Sequence, residues 1–386
     1  MLRNILKNKR ITPTYSNMAS LGQSMQPPLV TNPSTPSHHT KDGTFQIPPE
    51  WSSSYKHKGF SDILKLQYEM ATSNNKVPSE EEMPNVSFDW NLVRNPQENN
   101  TIQYSWIGHS TFLCQVGGYN ILTDPVFSNR ASFVQFAGPS RLRPVPCQIS
   151  ELPQIDIVII SHNHYDHLDY DAVSKIVEHH KNVVFYVPYK LKKWFLDYIE
   201  GIKEENVVEL DWWQDFEHDP KTGNNVHGSI KLTFLPVQHW SLRTGRDRNA
   251  TLWGAWGLVY KPTNSELPNR VLFHCGDTGY NEHIFKAIGE RFSKPNGGID
   301  FAMIPIGAYE PRWFMKNEHV NPEEAFVIAK EIHAKHSVGM HWGTFVLTTE
   351  PILEPKQRLE KLVVENNEDK DFFITLKHGE SHVHRQ

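Results

Sequence analysis

An apolar strand that ends abruptly in metal-competent side chains constrains this chain more than any other feature. Ile155-Asp156-Ile157-Val158-Ile159-Ile160 is rich in β-branched residues and reads as a buried strand. It runs into Ser161-His162-Asn163-His164-Tyr165-Asp166-His167, which packs three histidines and an aspartate into six residues. A single histidine at a strand end is ordinary, but imidazole and carboxylate at this density are the donor set of a metal site. In an extended segment alternate residues face one side, so His162, His164 and Asp166 are expected to converge, with His167 turned toward a second ion.

Three more candidates occupy the same topological place. His239 follows an expected strand over 231–235, Asp277 follows one over 271–274, and His341 directly follows one over 337–340. Each is weak evidence alone, but together with the central run they supply seven ligands, enough for two ions delivered to one sheet edge. The expected division gives His162, His164 and His239 to one ion and Asp166, His167 and His341 to the other, with the two oxygens of Asp277 as a bridge. This donor set suits zinc, with iron and manganese as alternatives. Sites that keep an open position bind water and lower its pKa from 15.7 toward roughly 7, supplying a bridging hydroxide at neutral pH.

The remaining pattern predicts further strands over 102–106, 111–116, 120–122, 183–187, 258–261 and 301–304, and helices over 170–180, 191–198, 322–334 and 355–364. The third helix opens with Asn321 as a cap, Pro322 in its first turn and Glu323-Glu324 favouring the helix dipole. Strands that first dominate and then interleave with helices suit two sheets covered by helices, an α/β architecture. No internal repeat of motifs is visible. With 386 residues the chain can bury a large core, and its net charge of −5 offers no basic surface for nucleic acid. Cys114, Cys147 and Cys275 lie far apart and read as free thiols of a reducing, intracellular compartment. No apolar run reaches the roughly 18 residues of a spanning helix.

Residues 1–50 are expected to form a disordered extension, basic at first and then rich in Pro, Ser and Thr. Residues 1–41 carry five basic side chains and no acid, a composition that fits a mitochondrial transit peptide and equally a basic tail. Residues 51–84 are a lead-in without assigned structure, and residues 85–386 are the expected catalytic domain.

The run His162-x-His164-x-Asp166-His167, with His239, Asp277 and His341 downstream, resembles the metallo-β-lactamase superfamily. Within it the chain is most similar to the N-acyl-phosphatidylethanolamine-hydrolysing phospholipase D family. Supporting stretches are Gly108-His109-Ser110-Thr111, Leu122-Thr123-Asp124-Pro125, Leu210-Asp211-Trp212-Trp213, Gly276-Asp277-Thr278-Gly279-Tyr280, the block from Pro305 to Lys316, His341-Trp342-Gly343-Thr344-Phe345 and Lys377-His378-Gly379-Glu380-Ser381. The resemblance covers roughly Asn85 to Ser381, and the block from Pro305 to Lys316 is its most family-specific part. It implies an αβ/βα sandwich of two mixed β-sheets with two zinc ions per chain at one edge. The implied reaction is phosphodiester hydrolysis of N-acyl-phosphatidylethanolamine to phosphatidic acid and an N-acylethanolamine, with Asp166 orienting the hydroxide and passing on its proton. The resemblance further implies that Tyr165 and His319 contact substrate; His319 could equally be a surface residue beside the Asn321 cap. His109 and Asp124 are expected to orient ligands rather than bind metal.

A phospholipid substrate implies a peripheral membrane protein, and family members are often homodimers. The expected lipid approach is Phe133–Phe136, near Arg141 and Arg143, or the basic-aromatic segment 190–196, in which Trp194 and Phe195 could equally be core. Phe136 stands where vertebrate members have Tyr, and Leu242 and Arg246 replace the Lys and Met associated with bile-acid binding. Rival readings are another hydrolase on this fold, such as a lactonase, thioesterase or nuclease, or a metal-binding relic without activity. The acidic domain disfavours the nuclease, the block from Pro305 to Lys316 disfavours the lactonase, and the complete ligand set disfavours the relic.

Overall fold

The structure, a computed structural model, describes residues 36–51, 58–73, 75–96, 100–218 and 228–385. Its strands form two sheets of seven. The first runs β14 (Ser381–His384), β1 (Ile102–Gly108), β2 (Thr111–Val116), β3 (Tyr119–Thr123), β4 (Ile157–Ile159), β5 (Val184–Pro188), β6 (Val207–Leu210). The second runs β13 (Phe373–Ile374), β12 (Ser337–Met340), β11 (Phe301–Pro305), β10 (Arg270–His274), β9 (Ala255–Pro262), β8 (Gly228–Leu235), β7 (Asp215–His218). Pairing is antiparallel from β14 to β3 and parallel from β3 to β6. It is likewise antiparallel from β7 to β10 and parallel from β10 to β13. The two halves therefore repeat one pairing scheme without a repeat of motifs, because the pairing order is duplicated and the residues are not.

The helices are α1 (Phe60–Thr72), α2 (Trp90–Arg94), α3 (Tyr170–His179), α4 (Lys192–Tyr198), α5 (Glu282–Asn296), α6 (Arg312–Met315), α7 (Pro322–Glu331) and α8 (Glu354–Glu365). The unbroken apolar character of β4 follows from burial on both faces. Ile157 and Ile159 join the core between the sheets, while Val158 packs with Ala172, Val173 and Ile176 of α3 and Phe195 of α4. The inter-sheet core continues through the second sheet to Ile284, Phe285 and Ile288 of α5, Ile328 of α7 and Leu359 of α8. Helices thus cover both outer faces, the α/β sandwich expected, and the strand ends lie along one edge.

One expectation needs correction. Residues 36–50, expected in a disordered extension, form an arm bound to the domain: Phe45 is 2% exposed and its N–H donates to the Asn249 carbonyl at 2.8 Å. Burying an aromatic ring offsets the ordering cost that a Pro- and Ser-rich composition cannot. Residues 1–35, with most of the proposed transit peptide, lie outside the described residues. In α4, Phe195 is core and Trp194 is half-buried against Tyr170, in keeping with the core alternative given for this segment. Phe133 and Phe136, by contrast, are 78% and 85% exposed.

Candidate metal centre

Beyond β4 the chain does not stay extended. The N–H groups of His167 and Leu168 both donate to the His164 carbonyl, at 3.1 and 2.8 Å, closing a turn. The alternation expected to group His162, His164 and Asp166 therefore fails. The turn instead carries Asp166 away from His164 and folds His167 back beside His162, with ring centroids 4.2 Å apart. His162, His164 and His239 form one cluster and Asp166, His167 and His341, joined by His109, form another; His162 and His167 also meet at Asp277, so the two clusters overlap there.

Asp277 lies between them. Its Oδ2 is 3.1 Å from His167 Nε2 and 3.8 Å from the Nε2 atoms of both His162 and His239, while its Oδ1 is 3.1 Å from His341 Nε2. Asp166 Oδ2 is 3.6 Å from His167 Nε2 and 3.4 Å from His341 Nε2. All seven expected ligands are thus brought together. His164 presents Nδ1, 2.8 Å from His162 Nε2, whereas His162, His167, His239 and His341 present Nε2.

Neighbours fix these rings. Asp124, fully buried, accepts from Ser161 N–H at 2.7 Å, Ser161 Oγ at 2.6 Å, His167 Nδ1 at 2.8 Å and His274 Nε2 at 2.8 Å. His239 Nδ1 donates to the Glu318 carbonyl at 3.0 Å, which leaves its Nε2 lone pair for the cluster. His109 Nε2 donates to Asp166 Oδ2 at 3.0 Å, so both expected supporting residues touch ligands. The backbone is strained here: His109, Asp124 and His341 all have positive φ, at 54°, 31° and 64°. Gly276, at φ 61°, leaves no room for a side chain, since a Cβ would lie 2.7 Å from Ser161.

The electrostatics ask for positive charge. Burial pushes Asp166 and Asp277 upward, but the surrounding imidazoles, His167 foremost, hold both well below the usual carboxylate range. Burial likewise pushes His162 and His239 well down, His164 to about 4 and His319 to about 3. These rings are neutral, with lone pairs available at neutral pH. Burial also disfavours charge on His167 and His341, yet Asp277 and Asp166 overcome it and raise His167 well above its ordinary value and His341 to about 9. Protons on those two rings are what a bound cation displaces. Buried atoms without a directed hydrogen bond include His167 Nε2, His341 Nε2, Asp277 Oδ1 and His319 Nδ1, the donor atoms a metal would engage and one neighbour. The residues fit a bound metal.

His319 is 8% exposed, with Nδ1 4.0 Å from Asp277 Oδ2. It faces the cluster, so the surface reading falls. Tyr165 donates its hydroxyl to the Arg243 carbonyl at 2.9 Å, leaving only its lone pairs for any ligand. Arg248 was not anticipated. Its guanidinium stacks over Trp240 at 4.4 Å, and Trp240 packs against His164 at 4.6 Å. Among the described residues no carboxylate pairs with it. The three cysteines are free and buried.

Residues 119–342 match the sequence model of the beta-lactamase superfamily domain. The chain is 38% identical over 341 residues to N-acyl-phosphatidylethanolamine-hydrolyzing phospholipase D 1 of Caenorhabditis elegans, covering 87% of this chain and 91% of that protein. It is 38% identical over 258 residues to the mitochondrial N-acyl-phosphatidylethanolamine-hydrolyzing phospholipase D of Saccharomyces cerevisiae, covering 67% of this chain and 51% of the yeast protein. Among solved structures, the metallo hydrolase Igni18 of Ignicoccus hospitalis superposes with a TM-score of 0.50 at 19% identity, over 74% of this chain and 100% of that one. An isothiocyanate hydrolase from Delia radicum gut bacteria gives 0.51 at 18% identity, over 72% and 98%. Both show a shared fold.

Proposed function

From the premise that this chain belongs to the N-acyl-phosphatidylethanolamine-hydrolysing phospholipase D family, in the beta-lactamase superfamily, and is a metal-dependent phosphodiesterase, we propose that it acts on N-acyl-phosphatidylethanolamine. The reaction breaks the bond between phosphorus and the ethanolamine oxygen and adds water, giving phosphatidic acid and an N-acylethanolamine. The observation that carries this reading is the convergence of imidazoles on both oxygens of one buried carboxylate, Asp277.

We assign two zinc ions per chain, one to His162, His164 and His239 and one to Asp166, His167 and His341, with Asp277 shared. Bound there, the pair supplies Lewis acidity and ionises water near neutral pH. The protein supplies the rest. Asp166, held by His109, is placed to accept the water's proton and hand it to the departing alkoxide. The neutral His319 ring has an unengaged Nδ1 beside Asp277 for a phosphate oxygen or the headgroup. Arg248, steadied on Trp240 beside His164, offers charge to an anionic headgroup. The exposed Phe133 and Phe136 are suited to dip into a lipid surface, consistent with peripheral attachment; no described helix is long and apolar enough to cross a membrane. The yeast relative's mitochondrial designation and the basic residues 1–41 support a mitochondrial destination.

The deciding experiment incubates the purified chain with N-acyl-phosphatidylethanolamine in mixed micelles and follows N-acylethanolamine release. Wild-type protein should turn over, and Asp277→Asn should lose at least about 100-fold in rate together with bound zinc, as expected when a metal ligand is lost. Turnover of lactones with none of the lipid would overturn the substrate assignment. Full activity of Asp277→Asn would overturn the centre.

A further inference from the structure

Asp211 directly follows β6 and lies between two consecutive histidines of the arm. His38 Nε2 is 2.7 Å from its Oδ1, and His39 Nε2 is 2.6 Å from its Oδ2. The three donor atoms fall within 4.8 Å of one another. The group is largely enclosed, with side-chain exposures of 9% for His38, 21% for His39 and 14% for Asp211. Among the described residues no Lys or Arg pairs with Asp211; its mostly buried carboxylate is met by the two imidazoles and, on Oδ1, by the Trp212 N–H at 2.7 Å. Packing fixes both rings. His38 stacks on Trp212 at 4.4 Å, and His39 stands edge-on to Phe45 at 5.0 Å.

We propose that His38, His39 and Asp211 form a third divalent-cation site, separate from the seven-residue centre and completed by water. Two imidazoles and one carboxylate are a donor set zinc takes, and the partial exposure of His39 leaves room for the water. Bonds of about 2.0–2.1 Å to a shared ion would part the donor atoms to roughly 3.3 Å, a small adjustment of side chains at the domain rim.

The site bears on the catalytic region through the arm. Phe45 N–H donates to the Asn249 carbonyl at 2.8 Å, and Asn249 N–H donates to the Ser241 carbonyl at 2.7 Å, two residues beyond His239. An ion here would fasten the arm against the loop behind a ligand of the main centre, and its binding energy would become docking energy for the arm.

The test uses the full chain, purified in zinc and dialysed, with metal counted by plasma emission. His38→Gln/His39→Gln should hold one zinc fewer than wild type. Because Asp277→Asn disables only the main centre, the triple variant should again hold one fewer than Asp277→Asn alone. That comparison separates this site from the fate of the catalytic assignment. A second readout is trypsin cleavage after the exposed Lys41 in the Asp277→Asn background. Zinc should slow it there and have no effect in the triple variant. Equal metal content with and without the two histidines, or cleavage indifferent to zinc, would leave a hydrogen-bonded clasp and overturn the site.

Discussion

Asp124 governs the centre without being needed as a metal ligand. It gathers four donors, two from Ser161 and one each from His167 and His274, and thereby sets which nitrogen His167 turns inward. Burial raises its pKa, but His274 and His167 outweigh burial and bring it to about 2 from 3.8. A carboxyl with a depressed pKa stabilises the fold fully above its unfolded value, and that contribution fades as pH falls from about 4 toward 2. Asp124→Asn keeps the shape but cannot accept from every donor. Zinc affinity should fall about 10–100-fold by competition with a chromophoric chelator, and the acid limb of the stability profile should flatten between pH 4 and 2. The seven clustered side chains, Asp124 and His109 were all legible in the sequence, each sitting at a strand end or in the turn after it. His319 was reached only through the family resemblance and Arg248 not at all, because burial beside Asp277 and stacking on Trp240 depend on contacts that no local pattern encodes.

Among the elements, those with clean periodicity or caps were legible and those shaped by their neighbours were not. α7 is the clear success. Asn321 accepts from Glu324 N–H at 2.9 Å, and the Glu324 carboxylate accepts from Asn321 N–H at 3.2 Å, a reciprocal capping box where the sequence placed a cap. Asn321→Ala should cost about 1 kcal/mol, read as a lower denaturant midpoint at unchanged slope. Because His319 precedes this cap by two residues, activity should fall along with stability. α5 lacks so clean a signal, since Gly289 and Pro295 within its span both lower helix propensity. Gly289 is there for proximity: a Cβ would stand 2.1 Å from the Glu331 carbonyl at the end of α7. β13 and β14 were missed because a two-residue strand and the polar Ser381-His382-Val383-His384 carry no alternating apolar signal. They are strands because β12 and β1 offer edges to pair with.

On the scale of the whole molecule, the two sheets share the burden of the centre. His162, His164, Asp166 and His167 come from the loop after β4 in the first sheet, and His239, Asp277 and His341 follow β8, β10 and β12 in the second. An ion bound between them would therefore be a cross-link between halves, and it would compensate the buried Asp277 and half-buried Asp166, whose charge otherwise rests on His167 and His341. Anything that binds only the folded state stabilises it by mass action, by about 2.7 kcal/mol per ion when free metal is 100 times Kd. Chelation should thus lower the melting temperature by several degrees, and added zinc should restore it in proportion to the logarithm of its free concentration. The loss should be smaller in Asp277→Asn, whose centre already holds less metal. If the two sheets instead melted at one temperature regardless of chelator, the seven side chains would not be holding an ion between them.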